Sequence, residues 1–109
     1  MFNKLKIKRS ERIAVRNDAF RWQTGCAIIT HGVMCDVVDL QGLMDRVAAY
    51  DVFTFSNDPY GEHDFGALDF EGKEIFWKID YYDQSNRNYC DPLSPSCKRV
   101  LTVMLAEEY

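Results

Sequence analysis

Apolar and polar positions recur with two different periods along this chain, and the switches between them mark its elements. From Glu11 to about Trp22 the spacing is helical. Val15, Ala19 and Trp22 fall on one stripe with Ile13 and Phe20 beside it, and Ser10 stands where an N-cap belongs. Gly25 is the expected C-cap. The run Cys26-Ala27-Ile28-Ile29-Thr30-His31 is apolar on both faces and predicts a central strand, ended or bulged at Gly32. Behind Asp39, a second N-cap, Leu40, Leu43, Met44, Val47 and Tyr50 return to helical spacing and predict an amphipathic helix over about 40–50.

Beyond it the period changes to two. Val52-Phe53-Thr54-Phe55 reads as a short strand or an extended entry, and Asp58-Pro59-Tyr60-Gly61 as a type I turn. Asp64 to Asp83 forms a hairpin about Glu71-Gly72, so cross-strand partners have numbers that sum to 143. Leu68 then faces Ile75 and Gly66 faces Trp77 on the core side, with Ile79 and Tyr81 further along. A glycine opposite an indole leaves the ring its space. The other side pairs Ala67 with Phe76, Phe65 with Lys78 and His63 with Asp80, and Tyr82 continues it. Against this register stands the like-charge pair Asp69 and Glu74.

Residues 84–98 are polar, hold Pro92 and Pro95, and form a surface loop long enough to suggest binding. Val100 to Leu105 is apolar on both faces and predicts another central strand. The order helix, strand, helix, hairpin, strand is that of an α+β fold. It is a mainly antiparallel sheet with a central hairpin (about 64–83) and two helices (about 11–22 and 40–50) packed on one face. The 109 residues make one domain, with 1–9 as a basic N-terminal arm that is either a short edge strand or frayed.

Charge is unevenly spread. Residues 1–21 carry a balance of +5 and residues 22–109 one of −9. The basic segment could hold nucleic acid or fold back on the acidic body. The four cysteines, at 26, 35, 90 and 97, show no tight pair, so a zinc ribbon is not expected. Cys26 and Cys35 read as small buried hydrophobes, and Cys90 and Cys97 bracket a loop across which they could meet. No signal peptide or membrane-spanning run is visible, which points to a cytoplasmic protein.

Candidate chemistry gathers on the hairpin. His63, Lys78, Asp80 and Tyr82 share one side in this register, with Asp58, Tyr60, Glu62, Asp64 and Asp83 nearby. A carboxylate beside an imidazole can fix its tautomer for general-base work, and a lysine can hold a phosphate or an oxyanion. The same groups serve equally as turn caps, a register-fixing polar pair and a binding surface. His63 with Asp and Glu oxygens is also a workable divalent-metal set. No nucleophile elbow and no glycine-rich phosphate loop is present, and the expectation is neither a cofactor nor a resident metal. The first expectation is a small binding protein with another protein as partner. The alternative is a metal-assisted hydrolase or nuclease using His63, Asp80 and Lys78, with Asp64 beside them.

Several blocks carry a family resemblance: Asn17-Asp18 with Arg21, Thr30-His31-Gly32-Val33, the run Asn57 to Gly66, Trp77 to Asp83, and Arg99 to Tyr109. Over about residues 16–109 the chain resembles an uncharacterised bacterial family, a domain of unknown function. The resemblance implies cargo of plasmids and phages that travels beside anti-restriction genes, and hence an inhibitor of host defence, of anti-restriction or anti-CRISPR type. It brings no established activity, and the cysteines and residues 1–15 lie outside its pattern.

Overall fold

The computed structural model describes residues 7–23 and 27–109. The Gly25 cap, Cys26 and most of the basic arm lie outside the described residues. Four strands form one sheet in the order β1 (Ile28–Ile29), β4 (Lys98–Leu105), β3 (Lys73–Tyr82), β2 (Phe65–Phe70). β2, β3 and β4 are antiparallel neighbours, and β1 joins β4 in parallel. The helices α1 (Arg9–Trp22), α2 (His31–Asp36) and α3 (Leu40–Ala48) complete an α+β fold, mostly antiparallel as expected. Among the described residues no helix is long and apolar enough to cross a membrane.

The hairpin adopts the expected register pair for pair, from Phe65 opposite Lys78 to Phe70 opposite Lys73. Glu71 and Gly72 both have positive φ (53° and 76°), the geometry of the tight turn whose twist matches the strands. Asp69 and Glu74 do sit opposite each other, both exposed, where water screens the repulsion. Along β3 every second residue enters the core: Ile75, Trp77, Ile79 and Tyr81. They meet Leu101, Val103 and Leu105 of β4 and, from the helices, Ile13, Val33, Leu43 and Val47. The outer edge of β2 is partly closed, because the Ala67 N–H donates to the Tyr50 hydroxyl (3.3 Å).

Three expectations give way. The described part of the segment at 26–31 is not a central strand: of residues 27–31 only Ile28 and Ile29 pair, at the sheet edge. His31 then opens α2, whose Val33 supplies the buried apolar group, and Gly32 is a helix residue. An added Cβ at Gly32 would strike the Glu108 carboxylate, which accepts the Gly32 N–H at 2.9 Å. Cys35 is exposed on α2 beside His31 (3.4 Å to Nε2) and is not a core residue; Cys35, Cys90 and Cys97 are free thiols. Helix α1 starts one residue before Ser10, and its cap is Lys8, whose N–H donates to the Glu11 side chain. It is also rolled about its axis relative to expectation. Val15 and Trp22 are each 67% exposed, whereas Asn17 and Arg21 are fully buried.

Candidate functional site

That roll of α1 builds the site. Asn17 and Arg21 lie one turn apart on the inward face and donate to backbone carbonyls of neighbouring segments. Arg21 Nη1 donates to the carbonyls of Val47 (3.1 Å) and Tyr50 (3.0 Å), the frayed end of α3. Its Nη2 donates to Asp18 Oδ1 at 2.6 Å. The guanidinium lies 4.6 Å above the Trp77 ring and 5.5 Å from Phe53, so a buried cation is held by carbonyl dipoles, one carboxylate and two aromatic faces. Asn17 Nδ2 donates to the Glu62 carbonyl (2.9 Å) and the Tyr81 hydroxyl (2.8 Å), and its Oδ1 accepts from Arg99 Nε. Arg99 continues to the Pro92 carbonyl, which anchors the loop 83–97.

This hub grips the segment 51–64, which contains neither helix nor strand. Asn57 ties its first half. Its Oδ1 accepts from Thr54 N–H, and its Nδ2 donates to the Val52 carbonyl, both at 3.0 Å. Asp58 is buried because its carboxylate accepts the N–H groups of Glu62 and His63 across the turn closed by Gly61 N–H and the Asp58 carbonyl. His63 has φ 57°, a strained conformation for a non-glycine residue. The strain is offset by packing: its ring stacks on Phe53 (3.8 Å between centroids, 4° apart), and its Nδ1 stands 3.0 Å from Asp18. Its Nε2 faces Asp58 Oδ2 at 3.9 Å, beyond hydrogen-bond reach. Val52, Phe55 (90% exposed) and Tyr60 (80%) project outward from this frame.

The electrostatics follow from burial. Desolvation, then the neighbouring Asp64, raises the Glu62 carboxyl above its ordinary value. Burial raises Asp64 as well, partly countered by the hydrogen bond from Tyr81 at 3.1 Å. Burial also pushes the Tyr81 phenol well above its ordinary range.

His63 does not join the lysine and aspartate expected beside it. β2 begins only at Phe65, and the positive φ turns the imidazole out of the strand alternation toward α1. Its partners are Asp18, Asp58 and Phe53, whereas Lys78 and Asp80 pair with each other at 3.0 Å on the opposite side of the sheet, with Tyr82 further along β3. The Asp80 hydrogen bond raises the Lys78 ammonium. An imidazole oriented by a carboxylate has the geometry of a general base, but among the described residues no hydroxyl, thiol or amine partners His63. Among the described residues no three His, Cys, Asp or Glu side chains gather to hold a metal ion. Of the basic residues, Arg9 and Arg16 turn to Asp91 and the Leu93 carbonyl of the chain's own loop.

Asp83 closes the far end of β3. Its carboxylate accepts from the Ser85 hydroxyl (2.6 Å), Asn88 Nδ2 and the Ser85 N–H, which pull its pKa down to about 2 from an ordinary 3.8. A depressed folded value means that its stabilisation is complete above pH 3.8 and lost as pH falls through 2. A carboxyl-detected NMR titration is expected to find the Asp83 midpoint near 2. Asp83→Asn should remove that titration and speed amide exchange over 84–89. A midpoint at the ordinary value would contradict these contacts.

The residues that α1 and Phe53 contribute have no periodicity signal, since a buried Asn and Arg break the apolar stripe. Asn17, Asp18 and Arg21 stand out only as a block of the family resemblance. No curated protein and no solved structure matches the chain. A family model does, over residues 29–108, which take in strands β2 to β4, α2, α3 and the gripped loop: the chain belongs to DUF3768, a family of proteins of unknown function.

Proposed function

We propose that this protein is a binding module that docks on another protein through the segment 51–64. One observation carries the reading: a loop without regular structure is fixed by side chains from α1, by Tyr50 just past α3 and by the hairpin, while its own large apolar side chains, Phe55 and Tyr60, stand in solvent. Fixing the loop in advance removes most of the ordering cost of association. Exposed aromatic side chains on a rigid frame are the usual anchors of an interface. The accessible carboxylates around it, Asp51, Glu62 and Asp64, select a basic partner surface and speed encounter with it. A basic nucleic-acid-binding face of a host-defence nuclease is such a surface. The reading is therefore of a cytoplasmic inhibitor, carried by a mobile element, that covers such a face.

The test is affinity capture from the native host with the wild type and with the double variant Phe55→Ser/Tyr60→Ser. Both side chains are exposed, so the variant should keep its melting temperature and lose the partner. The captured complex should weaken as salt rises. A partner retained by the folded double variant would remove this loop from the interface.

A further inference from the structure

All three helices, with Leu93 and Cys97 of the loop, pack on the side of the sheet that holds Trp77; among the described residues the side that carries Phe76, Lys78, Asp80 and Tyr82 has no helix over it, and Tyr109 covers its Phe76 end. It is not a polar surface. Phe65, Phe76 and Tyr109 form an edge-on aromatic cluster there, with centroids 5.2–5.9 Å apart, and Tyr109 is 76% exposed. Beside Phe76 on the next strand is Met104, already buried, and beside Lys78 and Asp80 are Thr102 and Val100.

We propose that this face is a homodimer interface, covered by a second copy of the chain. The charge pattern carries the choice of occupant. Lys78 and Asp80 are two residues apart on one strand, pointing the same way, each about a third exposed. Place a two-fold axis across the strands, in the plane between two facing sheets, level with Ile79. Lys78 then meets Asp80 of the second copy, and Asp80 meets its Lys78. The same axis sets Phe76 against Tyr82 of the second copy at both ends. One surface thus presents its own complement, as a two-fold interface requires. Nucleic acid fits this face poorly, because Asp69, Glu74 and Asp80 outnumber Lys78 and Lys98 on it. The docking loop 51–64 belongs to the other layer and stays free, so the dimer stands apart from the reading above. Two or three strands' width is small for an obligate interface, so association depends on concentration.

Light scattering behind size exclusion tests this with the full chain. Wild type is expected to rise from 12.7 kDa toward twice that mass between micromolar and NMR concentrations. Phe76→Glu should remain monomeric. Two charge variants make the test specific: Lys78→Asp leaves the centre of the face all acidic, Asp80→Lys all basic. Each alone should be monomeric, and their equimolar mixture should form a heterodimer visible by native mass spectrometry. That rescue also shows that both variants are folded. A wild type that stays monomeric throughout overturns the proposal. So does a dimer indifferent to Phe76→Glu, or single charge variants that dimerise as the wild type does.

Discussion

Truncating Arg21 to alanine is expected to cost about 4 kcal/mol, the magnitude found when one partner of a buried ion pair is removed. The side chain is 1% exposed and serves four groups at once. Its loss leaves the Tyr50 carbonyl without its donor, the Val47 carbonyl with only the Tyr50 N–H, Asp18 without its cation, and Trp77 without the guanidinium over its ring. An orphaned buried carbonyl alone costs about 1–3 kcal/mol. One contribution opposes this: Arg21 Nε has no hydrogen-bond partner among the described residues, so its desolvation cost is recovered in the variant. Four lost interactions outweigh one relieved group. Against a domain stability of about 5–15 kcal/mol, such a loss leaves the fold marginal. Urea denaturation measures it, and a loss under about 1 kcal/mol would show that water replaces the guanidinium freely. Arg21→Lys should recover only part, since an ammonium cannot reach both carbonyls and Asp18 in one plane. Amide exchange supplies a second readout. Because Asp18 links Arg21 to His63, protection over 57–63 should fall more than protection in β3.

The hairpin was legible because period-two alternation, a two-residue turn and a glycine facing an indole all demanded one register. α3 was legible for the same reason: its cap and its apolar stripe agree, and Asp39 does accept the Gly42 N–H. α1 was misread on its face, because the stripe rule assumes that what lies inside is apolar. What lies inside α1 is the polar end of α3 and a turn of the gripped loop, and long hydrogen-bonding side chains satisfy those carbonyls where Val15 and Trp22 cannot. β1 and α2 were hidden in one apolar run. A two-residue edge strand followed by a six-residue helix is too short to show either period.

The candidate residues split for a related reason. Register arithmetic places side chains only while the chain stays extended, and at His63 it does not. Of the loop residues named from the sequence, Asp58, Glu62 and His63 are held together with partners on α1 that the sequence pattern concealed, Asp64 turns to Tyr81 of β3, and Tyr60 stands apart in solvent. Lys78, Asp80 and Tyr82 come together too, on the uncovered side. One expected constellation is therefore two surfaces back to back, with Trp77 and Arg21 in the layer between.

Gly66→Ala tests that layer from the strand side. An alanine in a strand normally stabilises by about 0.5–1 kcal/mol, because glycine loses more freedom on folding. Here the sign is expected to reverse. A Cβ on Gly66 would stand 2.5 and 2.7 Å from Cε2 and Cζ2 of Trp77 and nearer still to Nε1, well inside van der Waals contact. The indole is 0% exposed and has nowhere to go: Tyr50 and Phe53 meet it edge-on and Arg21 lies over its face. Overpacking of a tight core costs about 1–3 kcal/mol, and the rigidity of both partners places this case at about 3. The net loss of about 2 kcal/mol should lower the melting temperature by roughly 8–16 °C. If the clash with the ring is the cause, Trp77→Phe in the same chain should remove it. The double variant should then be more stable than the sum of the single changes predicts, by at least about 1 kcal/mol. An alanine at 66 that leaves stability unchanged, or raises it, would mean that the glycine is there for the strand and not for the indole.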